Sequence, residues 1–256
     1  MTAARNEPAV TLRRLLPEPA SLTADEAAAQ LHFAERAPED RPLVAVNMVA
    51  TVDGRASVAG RTAPISSVAD RQLFHALRTR VDAVMVGAGT LRTERYGRLV
   101  RDPHRRAQRA AAGLAPDPLA IVVSGRLDLP ADLPLLQDAA SSIVVITAAR
   151  ASLGRCAAQV CYLRSAPVDF AGVLALLRSE HGVRSILCEG GPVLNASLFG
   201  AGLVDELFLT TVPTIAGGTG ALMIVGAAAM AQPVDARLEW LLECEGELFA
   251  RYRVGV

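Results

Sequence analysis

Residues 186–197 read Ile-Leu-Cys-Glu-Gly-Gly-Pro-Val-Leu-Asn-Ala-Ser. An apolar run short enough for a strand ends in a carboxylate, two glycines and a proline, and a helical segment follows. A chain that leaves a strand through glycines and enters a helix turns backbone N–H groups, and the helix N-terminus, toward whatever lies above the sheet. That arrangement suits a phosphate or pyrophosphate. Glu189 stands at the carboxyl end of the strand, where ligands of open α/β sheets bind.

The same grammar occurs once more, at Ala83-Val-Met-Val-Gly-Ala-Gly-Thr90. Two strand–glycine–helix junctions in one sheet can hold the two ends of a dinucleotide. Around them the pattern alternates. Strands are expected at Leu43–Met48, Ala83–Val86, Leu119–Val123, Ile143–Thr147 and Ile186–Cys188, and helices at Ala69–Arg80, Phe170–Glu180 and Val193–Phe199. Strands alternating with helices imply a mostly parallel sheet covered on both faces. Leu207–Val212 and Leu248–Val254 read as late strands with no strong helix between them, which predicts an antiparallel edge. The Pro- and Arg-rich stretch 95–118 is expected to be a long surface loop. Residues 1–40 read as an N-terminal helical extension, a packing arm whose capping box Thr23-Ala-Asp-Glu26 opens a helix running to about Arg36. Residues 41–256 form the main domain.

Composition limits the partners. The 256 residues carry 26 basic and 26 acidic side chains, with 51% hydrophobic and only 4% aromatic residues. No strongly basic patch points to nucleic acid or an anionic membrane. No apolar run approaches the roughly 20 residues of a membrane span, and Met1-Thr-Ala-Ala-Arg-Asn-Glu-Pro8 lacks the apolar core of a signal peptide. The four cysteines form no Cys-x-x-Cys pair, so a reduced, cytoplasmic setting is expected. No His cluster has metal-ligand spacing, so no metal is expected. Zinc deaminase and Gly-x-Ser-x-Gly nucleophile motifs are absent. Gly87-Ala-Gly-Thr-Leu-Arg92 has no third glycine, so an ordinary Rossmann domain is not supported. The remaining chemistry is redox chemistry carried by a cofactor, on a small-molecule substrate.

Two smaller features bear on that reading. Ser124-Gly-Arg126 follows a strand end, and a hydroxyl with a guanidinium there suits the 2′-phosphate of an NADP-type cofactor. Arg71, His75 and Arg78 share one helix face. By spacing alone that face is better read as solvated than as a phosphate site.

Asn47-Met-Val-Ala-Thr-Val-Asp-Gly54, Ala69-Asp-Arg-Gln-Leu-Phe-His-Ala-Leu-Arg78, Asp82-Ala-Val-Met-Val-Gly-Ala-Gly-Thr90, Glu189-Gly-Gly-Pro192 and Val204-Asp-Glu-Leu207 occur in that order. Val212-Pro213 and Gly217-Gly218 follow. Together they resemble the reductase domain of riboflavin biosynthesis, which reduces 5-amino-6-(5-phosphoribosylamino)uracil with NADPH. The resemblance runs from about residue 41 to the C-terminus. It implies an α/β, dihydrofolate-reductase-like fold with a mostly parallel central sheet, helices on both faces and antiparallel edge strands. It implies a homodimer, for which the apolar late strands also argue. Glu189 and Asn47 are then expected at the reacting centre, and Thr62, Arg78, Glu94, Arg98 and Arg101 at the substrate. For the cofactor, NADPH, the residues are Val49, Ile65, Gly87, Gly89, Thr90, Ser124, Arg126, Gly190, Gly191, Pro192, Val193, Leu194 and Asn195. A cis Gly190–Gly191 peptide is also implied.

The chain departs from the family at the substrate side. Family members usually have Lys where Asn47 stands, Asp followed by Asp-Pro where Glu94-Arg-Tyr96 stands, and often an aromatic where Pro64 precedes Ile65. Two other functions therefore stay open, a dihydrofolate or pterin reductase on the same fold and a non-catalytic NADP-binding sensor.

Overall fold

The computed structural model describes residues 8–218, 222–226 and 232–255. Most of the N-terminal octapeptide, and the first residues of the expected extension, lie outside them. Eleven strands among the described residues make one sheet. They are β1 (Thr11–Leu16), β2 (Ala20–Thr23), β3 (Leu43–Thr51), β4 (Ala83–Gly87), β5 (Leu119–Val123), β6 (Ser142–Thr147), β7 (Gln159–Arg164), β8 (Ser185–Cys188), β9 (Glu206–Val212), β10 (Ala236–Cys244) and β11 (Glu247–Val254). The spatial order is β2-β1-β10-β11-β9-β3-β8-β4-β5-β6-β7. From β9 to β7 every pairing is parallel, and from β9 to β2 every pairing is antiparallel. The expected parallel centre with an antiparallel flank is what the chain forms.

The helices are α1 (Ala24–Ala29), α2 (Val68–Arg78), α3 (Ala88–Thr93), α4 (Pro103–Ala111), α5 (Phe170–Ser179) and α6 (Pro192–Gly200). Strand alternation sorts them into two layers. On one face Val84, Val86, Val122 and Leu187 pack with Ala27 and Ala28 of α1 and Leu73, Ala76 and Leu77 of α2. On the other, Val44, Met85, Ile121, Ile186 and Cys188 pack with Leu174 and Leu177 of α5 and Leu194 and Leu198 of α6. Because both faces are covered, β4 and β8 read as continuous apolar runs rather than alternating ones.

Three expectations need correction. The helix predicted to reach Arg36 ends at Ala29, although its capping box forms, with Glu26 N donating to Thr23 Oγ1 and Thr23 N to Glu26 Oε2. Ahead of it β1 and β2 are strands, so the extension is not simply helical: β1 pairs with β10 and extends the main sheet. Phe33 beyond α1 meets Phe208 of β9 edge-on at 5.9 Å, and Phe208 meets Trp240 of β10 at 5.8 Å. The stretch 95–118 is not all loop, since α4 forms within it, with Asp102 capping the N-terminus and Pro103 in the first turn.

No helix of the described residues is long and apolar enough to cross a membrane.

Candidate active site

The carboxyl ends of β3, β4, β5 and β8 open on one cavity of about 620 Å³. That size is ordinary for a site holding a small organic ligand. Both glycine junctions reach it. Gly87, Ala88, Gly89 and Thr90 form one wall, and Gly191, Pro192, Val193 and Leu194 another. The junctions are stitched to each other: Gly87 N donates to Gly190 O at 2.8 Å and Glu189 N to Met85 O at 2.9 Å. A Cβ on Gly191 would stand 2.8 Å from Thr90 Oγ1. The Gly190–Gly191 peptide is cis, as the resemblance implied.

Gly87 and Gly191 are the N-caps of α3 and α6, and neither helix has a side-chain cap. The N–H groups of Ala88 and Gly89 in α3, and of Val193 and Leu194 in α6, whose first residue Pro192 has none, are therefore left for a ligand. At Gly89 and Gly125 an added Cβ would meet nothing within 4 Å, so the backbone there is open to a close approach. A dinucleotide with an anionic pyrophosphate fits these groups: uncapped N–H donors, bare backbone, and Ser124 and Arg126 at the far end. Arg126 is exposed. Beside it Arg92 Nη1 donates to Asp128 O at 2.5 Å and stands 3.3 Å from Asp128 Oδ2.

Glu189 is the buried carboxylate of the wall, 6% exposed. Arg78, at the end of α2, is buried against it and donates twice, Nε to Oε1 at 2.6 Å and Nη2 to Oε2 at 2.7 Å. The third arm of the guanidinium, Nη1, donates to Leu99 O at 2.8 Å. Phe74 and Tyr96 flank it, with ring centroids 4.2 and 5.4 Å from its central carbon. Burial alone would lower the Arg78 pKa, but the charge of Glu189 and the bonds to it raise it. Burial pushes the Tyr96 phenol well above its ordinary value, and the charge of Glu189 adds to that. The expectation of a solvated face is thus overturned at Arg78. Its neighbours Arg71 and His75 remain exposed, and Arg78 alone turns inward because it ends the helix over the sheet.

Among the other expected substrate residues, Thr62 and Glu94 line the cavity and are joined, Thr62 N donating to Glu94 Oε1 at 3.1 Å. Arg98 and Arg101 do not line it. Arg98 is engaged by both oxygens of Asp117, and Arg101 is exposed beside Gly97. Asn47 is half-buried and not on the wall, whereas its neighbour Met48 is. Val49 and Ile65 are core residues packed with Val212. Gly190 lies just behind the wall. Asn195 is fully buried and works as a tie: Nδ2 donates to Ile224 O at 2.7 Å, and Cys188 Sγ donates to its Oδ1 at 3.6 Å. That holds the segment whose Leu222 lines the cavity and whose Leu222 O accepts from Ala56 N.

Sequence reasoning missed Arg92, Asp128, Phe170 and Leu222 on the wall and Tyr96 beside the Arg78–Glu189 pair. Arg92 had a signal, two residues past the first junction on α3. Phe170 and Leu222 arrive from remote segments and had none. No group of three or more His, Cys, Asp or Glu residues among the described ones is placed to hold a metal.

Comparison with known proteins identifies the family. A 2,5-diamino-6-ribosylamino-4(3H)-pyrimidinone 5′-phosphate reductase of Methanothermobacter thermautotrophicus is 31% identical over 204 residues, 78% of this chain and 91% of that protein. The protein of the same name from Archaeoglobus fulgidus is 32% identical over 183 residues, covering 70% and 83%. In structure, a pyrimidine reductase-like protein of Corynebacterium diphtheriae superposes with a TM-score of 0.76 at 22% identity, over 91% of this chain and 99% of that one. The model of the RibD C-terminal domain matches residues 42–246, so the chain belongs to the RibD C-terminal domain family.

Proposed function

We propose that this chain is an NADPH-dependent reductase that converts a phosphoribosylaminopyrimidine to the ribitylamino product, in the cytoplasm and as a homodimer. The observation that carries the reading is the meeting of both glycine junctions and the buried Glu189 carboxylate on one cavity. A nicotinamide, when bound, supplies hydride to the sugar C1 of an imine. The chain's own work is placement. The junction N–H groups and Ser124 hold the cofactor, Arg126 takes its 2′-phosphate, and Glu189 accepts N–H groups of the pyrimidine. The walls keep water from a reacting carbon that must stand about 3–3.5 Å from the hydride. Arg78 keeps the Glu189 carboxylate turned toward the cavity.

Spectrophotometric NADPH oxidation tests this, with the 2,5-diamino pyrimidinone phosphate, its 5-aminouracil counterpart and dihydrofolate in parallel arms. The dihydrofolate arm is there for a reason. Glu189 is a buried carboxylate, and neither Arg98 nor Arg101 reaches the cavity, which suits a ring without a phosphate. Turnover of dihydrofolate alone replaces the pyrimidine by a pterin. Cofactor binding without oxidation in any arm leaves a sensor.

Two expected results belong here. NADPH binds more tightly than NADH, and Arg126→Ala removes most of the difference. A guanidinium–phosphate contact is roughly twice as strong as a neutral hydrogen bond. Fluorescence titration giving equal affinities for the two cofactors in the wild type ends this role for Arg126. Sedimentation at micromolar concentration is expected to show a dimer, and a monomer there contradicts the proposed assembly.

A further inference from the structure

Arg109 of α4 is the largest fully buried side chain among the described residues, 0% exposed, and no carboxylate pairs with it among them. Burial pushes its guanidinium down to about 10. Instead of an ion partner it gathers backbone carbonyls. Nε donates to Ala115 O at 2.8 Å, and Nη1 to Arg78 O at 2.6 Å and Val81 O at 2.7 Å, while Nη2 finds no partner. Arg78 O and Val81 O stand at the C-terminal end of α2, where carbonyls lack helical partners and a cation is favoured.

The contact runs both ways. Arg78 sends Nη1 into the excursion 95–118, to Leu99 O, while Arg109 of that excursion returns to the backbone of Arg78. Two buried arginines thus cross-link the same two elements in opposite directions. With its backbone fixed by Arg109 and one arm fixed by Leu99, Arg78 has only its Nε and Nη2 left to direct, and both go to Glu189. A buried cation with no carboxylate in contact, only the charges of Asp82 and Asp117 acting on it without a hydrogen bond, is costly to keep. The planar fork also serves several carbonyls at fixed angles, which a lysine cannot do.

We propose that Arg109 is a positioning residue for the substrate end of the cavity, acting on Glu189 through Arg78; the substrate part of this rests on the reductase reading above. The first test needs no turnover. Thermal unfolding is followed for Arg109→Met, Glu189→Gln and the double variant. The two side chains make no direct hydrogen bond, and independent sites add. The proposal expects the double shift in Tm to differ from the sum of the single shifts by about 2 °C or more. Additivity overturns it. If Arg109→Met does not fold, Arg109→Lys takes its place in the cycle under the same criterion.

The second test separates positioning from general loosening. In steady-state assays Arg109→Lys raises the Michaelis constant for the pyrimidine phosphate about tenfold and leaves the NADPH dissociation constant within about twofold. Equal losses on substrate and cofactor overturn the proposal. A wild-type protein that does not turn the pyrimidine over sinks the reductase reading instead, and the unfolding cycle still decides the coupling.

Discussion

Arg78→Met is expected to lower the stability of the folded chain by about 3–5 kcal/mol, the usual cost of leaving one member of a buried ion pair without its partner. From sequence alone the residue sits on a basic helix face, and a surface substitution there would cost within about 0.5 kcal/mol. The structure reverses the estimate. Arg78 and Glu189 have side chains only 7% and 2% exposed, and two hydrogen bonds of 2.6 and 2.7 Å join them. Removing the guanidinium leaves a carboxylate in an apolar setting and strips Leu99 O of its donor as well. For a chain of this size the loss corresponds to a fall in Tm of about 10 °C. The double variant Arg78→Met/Glu189→Leu is the control. Replacing both charges with apolar groups is often near neutral, so it should recover much of the stability while staying inactive. Thermal or urea unfolding decides the matter. A loss below about 1 kcal/mol for Arg78→Met would mean that solvent reaches the pair and that it is worth no more than a surface bridge. Arg98 with Asp117 is the internal comparison: both are more exposed, and breaking that pair should cost less.

The contrast between Arg78 and Arg98 shows where sequence reasoning stops. The apolar runs of β3, β4, β5, β6 and β8, and the glycines that end β4 and follow β8, were legible because both faces of a parallel strand are buried and glycine marks the turns. Strand β7 was not. As an edge strand it is at most half-buried, so Gln159–Arg164 lacks a strong apolar signature. Strands β1 and β2 hid for the same reason: they are held by pairing with one another and with β10 rather than by a run of core residues. At the site, Gly87, Gly89, Thr90, Gly191, Pro192, Val193 and Leu194 of the junctions line the cavity, whereas Gly190 and Asn195 do not. Long side chains did not follow their sequence neighbours. Whether an arginine meets solvent, a carboxylate or a helix end depends on what the fold brings opposite it, as with Glu189 for Arg78, Asp117 for Arg98 and the end of α2 for Arg109. Asn195 failed in another way. Its place after the junction suggested a ligand contact, but its carboxamide faces the returning segment at Ile224, which has no marker in the sequence.

Gly190→Ala and Gly89→Ala, placed on the two junctions, should differ in stability. Gly190 has φ of +83°. An L-residue held in the left-handed region costs roughly 1–2 kcal/mol. Its Cβ would also stand 3.0 Å from Met48 Sδ and 3.5 Å from Asn195 Nδ2. Overpacking of that kind adds about 1–3 kcal/mol. Gly190→Ala is therefore expected to destabilise the chain by roughly 2–5 kcal/mol in total, and to weaken NADPH binding because the wall moves with the backbone. Met48→Ala separates the two contributions. It relieves the collision but not the dihedral, so the Gly190→Ala/Met48→Ala variant should lose less than the sum of the single losses. Gly89 has an ordinary φ, and a Cβ there meets nothing within 4 Å. Gly89→Ala should leave stability within about 0.5 kcal/mol, and alanine even favours the first turn of α3. What the added methyl enters is the cavity itself. If the cofactor lies against this backbone, NADPH affinity falls while the melting curve does not move. A Gly89→Ala protein that binds NADPH as the wild type does would show that the bare backbone at this junction is not where the cofactor sits. The pyrophosphate would then have to be assigned to the other junction, at Gly191 and the start of α6.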